Sequence, residues 1–153
     1  HQQARPEQIE LLQHRYDVLG MTADVRSFYT DMPSLLGQSH LVICRAGAST
    51  LAELAAIGRP SLLLPLQNAM DDHQRMNALQ MQDVGGGICL DETTLSAAVL
   101  SARLIQLLKT PRSLSKMAKS AQSLASPNAA NLIVAIAENL MAAIPSKHGG
   151  AAA

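Results

Sequence analysis

Apolar residues in this chain occur either in short continuous runs or at helical spacing. The runs at 40–45 (HLVICR) and 61–66 (SLLLPL) are typical of buried strands in a parallel sheet. Between them, Leu, Ala and Ile recur at helical spacing over 51–57, and Gly58 is a typical helix end. A strand, a turn, a helix and a second strand therefore occupy 41–66, a length that suits a parallel crossover.

The remaining elements are mostly helical. The spacing of apolar residues predicts helices over 6–16, 32–39, 72–84, 95–108, 111–124 and 128–143, and short strands over 23–28 and 88–90. Expected N-caps are Asp31 for the second helix, Asp71 or Asp72 for the helix before Gly85, and residues 91–94 for the next. Alternating strands and helices predict an α/β fold with a parallel sheet. We expect one domain over 1–144 and a disordered tail over 145–153.

Composition narrows the class of protein. Hydrophobic residues make up 48% of the chain and aromatic residues 2%, so the core must be built mainly from aliphatic side chains and Met. Lys plus Arg equals Asp plus Glu, which argues against a nucleic-acid partner. Cys44 and Cys89 lie in apolar runs without metal-binding spacing, so we expect buried, reduced thiols and a cytosolic compartment. No apolar run approaches the ~20 residues of a bilayer span, so direct membrane insertion is not expected.

The first candidate site is the segment 45–53 (RAGASTLAE). It joins a predicted strand to a predicted helix, where free backbone N–H groups and the helix dipole favour an anion. Gly47 and Ala48 leave room for a phosphate, Ser49 and Thr50 add hydroxyl donors, and Glu53 could accept hydrogen bonds from sugar or ribose hydroxyls. The alternative interpretation is purely structural: Ser49 or Thr50 caps the helix and Glu53 closes a capping box.

The second candidate site is the polar cluster at 71–77 (DDHQRMN), which follows the second apolar run. Gln74 and Asn77 have both donors and acceptors for sugar hydroxyls. The alternative is a capped, solvated first turn of a helix. A metal site is a weaker interpretation, because no second His or Cys lies at ligand spacing.

Together, CRAGASTLAELAAIGRPSLLLPL and DDHQRMNA resemble the C-terminal domain of glycosyltransferase family 28. The resemblance extends over about 25–143 and includes the stretch FYTDM at 28–32. It implies a Rossmann-like parallel sheet with helices on both faces, forming the C-terminal half of a GT-B enzyme. Within the family, the match is closest to members that transfer N-acetylglucosamine to lipid I in peptidoglycan synthesis.

The resemblance also assigns ligand contacts residue by residue. It implies that the diphosphate of UDP-N-acetylglucosamine meets the start of the helix, that a Glu accepts from the ribose, that a His–Gln pair reads the sugar, and that a backbone segment lies against the uracil. In this chain the corresponding residues are Ala48, Ser49 and Thr50 for the diphosphate, Glu53 for the ribose, His73 with Gln74 for the sugar, and Tyr29 for the uracil. The resemblance also implies that Leu51 and Ala52 belong to the donor-binding segment. No cofactor and no metal belong to the family's site.

Parts of the family pattern are not found in this sequence. Neither the first strand with its GGSxG turn nor the N-terminal domain is present, and the family has its acceptor site and proposed general base in that domain. We therefore expect this chain alone to be inactive and only marginally folded, with catalytic residues and the lipid I contact outside it. The resemblance implies an inverting enzyme on the cytoplasmic face of the inner membrane. Two alternatives stay open: the catalytic subunit of a split transferase, and a non-catalytic nucleotide-sugar-binding module.

Overall fold

The computed structural model describes residues 1–67 and 72–143. These residues form two compact units, residues 1–39 and the part of the chain from residue 40 onward. Asp71 and the tail predicted for 145–153 lie outside the described residues, and the single domain expected over 1–144 stays a prediction.

The N-terminal unit combines a two-stranded parallel sheet with two helices. Its elements are β1 (Gln2–Gln3), a 3-10 turn at Pro6–Gln8, α1 (Ile9–Val18), β2 (Val25–Arg26) and α2 (Met32–Gln38). Gln2 pairs with Val25 and Gln3 with Arg26. The prediction that Asp31 caps α2 is confirmed, because its carboxylate accepts a hydrogen bond from the backbone N–H of Ser34 at 3.1 Å.

The second unit contains a three-stranded parallel sheet and five helices among its described residues. Its elements are β3 (Val42–Cys44), α3 (Ala48–Ile57), β4 (Ser61–Leu63), α4 (His73–Asp83), β5 (Gly87–Cys89), α5 (Ala97–Leu108), α6 (Pro111–Gln122) and α7 (Ala129–Ala143). The strand order is β3-β4-β5, and Ile43, Leu62 and Ile88 lie side by side. The predicted α/β class with a parallel sheet is thus confirmed.

The core of this unit centres on β4. Leu62 and Leu63 are fully buried, as are Leu54 from α3 and Met81 from α4. The prediction that β3 is a buried strand is wrong for Ile43, which is 48% exposed. Its side chain points to a face that the described residues cover only in part.

Glycines let α6 pack closely against the rest of the unit. A Cβ added at Gly86 would lie 2.7 Å from Cα of Ala121, so the α6 backbone rests directly on the turn before β5. Gly58 ends α3 in the left-handed conformation, as predicted, and a Cβ there would lie 3.2 Å from the carbonyl oxygen of Ala118. The apolar side of α6 is therefore fixed against the core.

The cap predicted at residues 91–94 is wrong, and the cap predicted at Asp72 is confirmed in position but not in hydrogen bonding. Ser96 caps α5, since its hydroxyl accepts from the N–H of Val99 at 3.2 Å, whereas Asp91 accepts from the N–H and hydroxyl of Thr93 and forms a turn of its own. Asp72 occupies the N-cap position of α4, but its φ is +51° and its side chain makes no capping hydrogen bond.

None of the helices in the described part of the chain has the length and apolar character required to cross a bilayer.

Candidate functional site

The N-terminus of α3 begins with Gly47 as the N-cap, and no side chain caps it. The first helical hydrogen bond runs from the N–H of Leu51 to the carbonyl of Gly47 at 3.0 Å. The N–H groups of Ala48, Ser49 and Thr50 therefore have no acceptor within the helix, and no described residue outside it accepts from them. The interpretation of Ser49 or Thr50 as the cap, closed by Glu53, is wrong.

Gly47 leaves open space in front of these N–H groups. Its φ and ψ of −64° and 147° suit any residue. A Cβ built at this position would meet only Oγ1 of Thr50 at 3.7 Å, an ordinary contact. Neither backbone conformation nor packing requires glycine at this position, and a Cβ there would still leave space in front of the helix end.

The side chains of the first two turns of α3 divide into an outer and an inner group. Ala48, Ser49, Ala52 and Glu53 are exposed, and Thr50 is half-buried. Leu51 is only 8% exposed and its N–H already donates to Gly47. A ligand at this helix end can therefore meet the outer group directly, whereas the side chain of Leu51 is largely buried and its amide is already bonded.

Arg45 connects the loops that follow all three strands of the sheet. Its guanidinium donates to both carboxylate oxygens of Glu92, at 2.6 and 3.1 Å, and to the carbonyls of Leu64 and Pro65. The hydrogen bonds and charge of this pair lower the pKa of Glu92 and raise that of Arg45. The sequence predicted no contact between Arg45 and Glu92, because the two residues lie 47 positions apart.

Two amide side chains of α4 hold the same edge of the sheet. Oε1 of Gln74 accepts from the N–H of Leu66 at 2.9 Å, and Nδ2 of Asn77 donates to the carbonyl of Ala46 at 3.1 Å. A merely solvated first turn is therefore the wrong interpretation for these two residues. Asn77 fixes the turn before α3, while the amide NH₂ group of Gln74 donates to no residue that the structure describes.

A cleft of about 220 Å³ lies between α3 and α4. Its lining includes Ala48, Leu51 and Ala52 from the start of α3 and Asn77 from α4. On the other side of α3, a larger groove of about 850 Å³ is lined by Glu53 and by the connection between α6 and α7. The structure thus brings both predicted segments to one edge of the sheet, at the carboxyl ends of the strands, where parallel α/β sheets bind ligands.

Tyr29 belongs to the N-terminal unit, and its side chain is buried there. Its hydroxyl donates to the carbonyl of Asp24 at 2.5 Å, and the guanidinium carbon of Arg26 lies 5.5 Å from the ring centroid. These contacts give the side chain a structural role within its own unit. The expected contact between the backbone of Tyr29 and uracil stays a prediction, as do the ligand contacts of the exposed His73.

This edge of the sheet combines the features of an anion-binding site with side chains that can form hydrogen bonds to ligand hydroxyls. Three N–H groups at a helix start attract a phosphate through hydrogen bonds and the helix dipole. Glu53 supplies an exposed acceptor, and Gln74 supplies a donor.

Comparison with known proteins gives one consistent family. The model of the glycosyltransferase family 28 C-terminal domain matches residues 1–133. The UDP-N-acetylglucosamine--N-acetylmuramyl-(pentapeptide) pyrophosphoryl-undecaprenol N-acetylglucosamine transferase of Rhodospirillum rubrum is 41% identical over 150 residues, covering 95% of this chain and 39% of the relative. The transferase of the same name from Caulobacter vibrioides is 46% identical over 137 residues, 90% of this chain and 38% of the relative.

Solved structures agree with the sequence relatives. The crystal structure of Acinetobacter baumannii MurG matches with a TM-score of 0.82 and 33% identity, over 90% of this chain and 42% of that one. The spinosyn forosaminyltransferase SpnP, at 24% identity and a TM-score of 0.60, shares the fold. The chain spans about two fifths of the length of the curated relatives it matches.

Proposed function

The chain belongs to glycosyltransferase family 28, and from that premise we propose that it supplies the donor-binding part of an enzyme that makes lipid II. The reaction is an inverting transfer of N-acetylglucosamine from UDP-N-acetylglucosamine to lipid I. The names of the relatives support this assignment, since they describe an N-acetylglucosamine transferase acting on a pyrophosphoryl-undecaprenol acceptor.

The uncapped N-terminus of α3 is the observation that carries the proposal. When the glycosidic bond to UDP breaks, negative charge grows on the leaving diphosphate. The N–H groups of Ala48, Ser49 and Thr50 are fixed by the helix before the reaction begins, so they stabilise that charge without reorganising. The hydroxyls of Ser49 and Thr50 add two further donors.

Two side chains next to the helix end select the rest of the donor. Glu53 is exposed one turn further along α3, and we assign it to the ribose hydroxyls. The NH₂ group of Gln74 donates to the sugar hydroxyls, with His73 beside it. Because Oε1 of Gln74 already accepts from Leu66, the orientation of this amide is fixed before the sugar binds.

Binding of lipid I and removal of the proton from its attacking hydroxyl need residues that we do not assign to this edge of the sheet. The relatives extend well beyond the matched region, and we place the lipid I site and the general base in that remainder. The role of this chain is thus to hold the donor and stabilise its leaving group.

Calorimetric titration with UDP-N-acetylglucosamine tests the proposal. We expect saturable binding, weakened about 10- to 150-fold by Glu53→Ala, because that change removes a charged hydrogen-bond acceptor. Glu10→Ala, which removes an exposed glutamate from α1, is the matched control and should bind like the unmodified chain. Absence of binding at millimolar donor, or equal affinity of the two variants, would refute the assignment.

A further inference from the structure

A chain of hydrogen bonds crosses the carboxyl ends of the three strands in the second unit. It begins at Glu92, in the segment that follows β5, whose two carboxylate oxygens accept from the guanidinium of Arg45 at 2.6 and 3.1 Å. Arg45 directly follows β3, and it also donates to the carbonyls of Leu64 and Pro65 at 3.2 and 3.4 Å. These two carbonyls belong to the loop that follows β4, so Glu92 is linked to this loop through Arg45.

The loop after β4 is held at two further points. The N–H of Leu66 donates to Oε1 of Gln74 at 2.9 Å, and Nε2 of Gln67 donates to Oδ1 of Asp91 at 3.1 Å. Leu66 therefore lies between the contacts of Arg45 on one side and that of Gln67 on the other. Because Leu66 binds the carbonyl oxygen of the Gln74 amide, the position of this loop determines where the NH₂ group of Gln74 points.

The guanidinium of Arg45 needs the carboxylate of Glu92 to keep this geometry. Its side chain is 47% exposed, and its bonds to the two carbonyls are near or beyond the long end of the usual N–H···O range. The contact with Glu92 is short and bidentate, which is the strong and orienting form of this pair. The hydrogen bond from Arg45 lowers the pKa of Glu92, so the carboxylate is charged at neutral pH.

We propose that Glu92 is a positioning residue that makes the site selective for the sugar of the donor, because it fixes Arg45, the loop after β4 and thereby the amide of Gln74. This inference rests on the proposed function, in which Gln74 reads the sugar hydroxyls. The diphosphate contacts have a separate support, since Asn77 holds the fully buried Ala46 at 3.1 Å and the amides belong to α3 itself. Loss of Glu92 should therefore weaken recognition of the sugar and spare that of UDP.

The expected effect is small and selective. Misplacing one neutral NH₂ donor weakens binding by about 2- to 10-fold. Glu92→Gln should lower the affinity for UDP-N-acetylglucosamine by that factor and leave the affinity for UDP unchanged. The ratio of the two affinities separates positioning from a structural role, because a general loss of folded protein would reduce the binding of both ligands equally.

Calorimetric titration with UDP-N-acetylglucosamine and with UDP tests the proposal. Glu7→Gln is the matched control, because it removes an exposed carboxylate that is paired with Arg5 at 3.5 Å in the N-terminal unit. Its affinity ratio should equal that of the unmodified chain. The double variant Arg45→Gln/Glu92→Gln should bind UDP-N-acetylglucosamine no more weakly than Arg45→Gln alone, because Glu92 acts through Arg45 and the two losses are then not additive.

Hydrogen exchange at the N–H of Leu66, followed by NMR, tests the same link without a ligand. Exchange should be faster in Glu92→Gln than in the unmodified chain and unchanged in Glu7→Gln. An unchanged affinity ratio in Glu92→Gln, additive losses in the double variant, or unchanged exchange at Leu66 would each overturn the inference and leave the proposed function standing. A chain that binds neither ligand, while exchange at Leu66 still depends on Glu92, would refute the proposed function and the sugar selectivity with it, but not the link from Glu92 to Leu66.

Discussion

Gly47→Asp should make the protein more stable and at the same time weaken donor binding. Gly47 occupies the N-cap of α3 with φ and ψ in the extended region, where an Asp carboxylate can accept from the N–H of Ser49 or Thr50. A Cβ at this position meets only Oγ1 of Thr50 at 3.7 Å, so the substitution introduces no clash. The new carboxylate would then occupy the N–H groups that we assign to the diphosphate.

Both effects have calculable sizes. A better cap and a favourable charge at the helix start together add about 0.5–1 kcal/mol to the free energy of unfolding. For a chain of this length, that raises Tm by about 1–4 °C. Loss of even one N–H hydrogen bond to a charged phosphate costs about 1.5–3 kcal/mol, which weakens donor binding by about 10- to 150-fold. Repulsion between the carboxylate and the diphosphate adds to that loss.

Thermal unfolding without ligand and calorimetric titration with UDP-N-acetylglucosamine measure the two effects separately. Gly47→Ala is the matched control, because it adds the same Cβ without an oxygen. It should lower Tm, since alanine is a poor N-cap, while leaving donor affinity nearly unchanged. An Asp variant that is stabilised yet binds the donor with the original affinity would show that these N–H groups do not hold the diphosphate.

Three further predictions concern the edge of the sheet and the core. Glu92→Gln should remove an acid-sensitive contribution to stability, because the hydrogen bond to Arg45 lowers the pKa of the Glu92 carboxyl. The pair stabilises the fold above the ordinary pKa of a glutamate, and this stabilisation is lost as pH falls through the lowered pKa of the folded state. The Tm of the variant should therefore lie below that of the parent at neutral pH, and the difference should vanish in acid. Gly86→Ala should lower the free energy of unfolding, measured in urea, by about 1–3 kcal/mol, because the new Cβ would lie 2.7 Å from the α6 backbone. The control Gly37→Ala, whose Cβ would have no atom within 4 Å, should not lower it. Equal stabilities of the two variants would contradict the close packing of α6 on Gly86. Burial raises the pKa of Cys44 to about 11, so iodoacetamide at pH 8 should label this thiol far more slowly in the folded protein than in urea, and equal rates by mass spectrometry would show that the strand is open.

The elements around the site were predictable because local patterns determine them. Apolar runs predicted β3 and β4, helical spacing predicted α3, and a glycine marked its end. The start of α3 was not predictable in the same way, since Ser49 and Thr50 are preferred capping residues. Burial of Leu51, Leu54 and Ala55 sets the position of the helix, and this places the cap at Gly47 instead.

The contacts that fix the turn before α3 had no local signal. Arg45 reaches Glu92 across the ends of the strands, and Asn77 reaches the carbonyl of Ala46 across 31 residues of sequence. Such pairs become visible only when the topology brings the strand ends together. The segment 45–53 could thus be identified as a candidate site from sequence, but the side chains that fix its geometry could not.

A binding site made of main-chain amides is largely insensitive to side-chain mutation. Alanine scanning of Ala48, Ser49 and Thr50 deletes at most two hydroxyls and leaves every amide of the first turn in place. The scan would therefore report a tolerant segment at the point where we propose that the leaving group is held. An amide-to-ester replacement at residue 49 or 50 removes one N–H while preserving shape, and it would reveal the contribution that side-chain scanning misses.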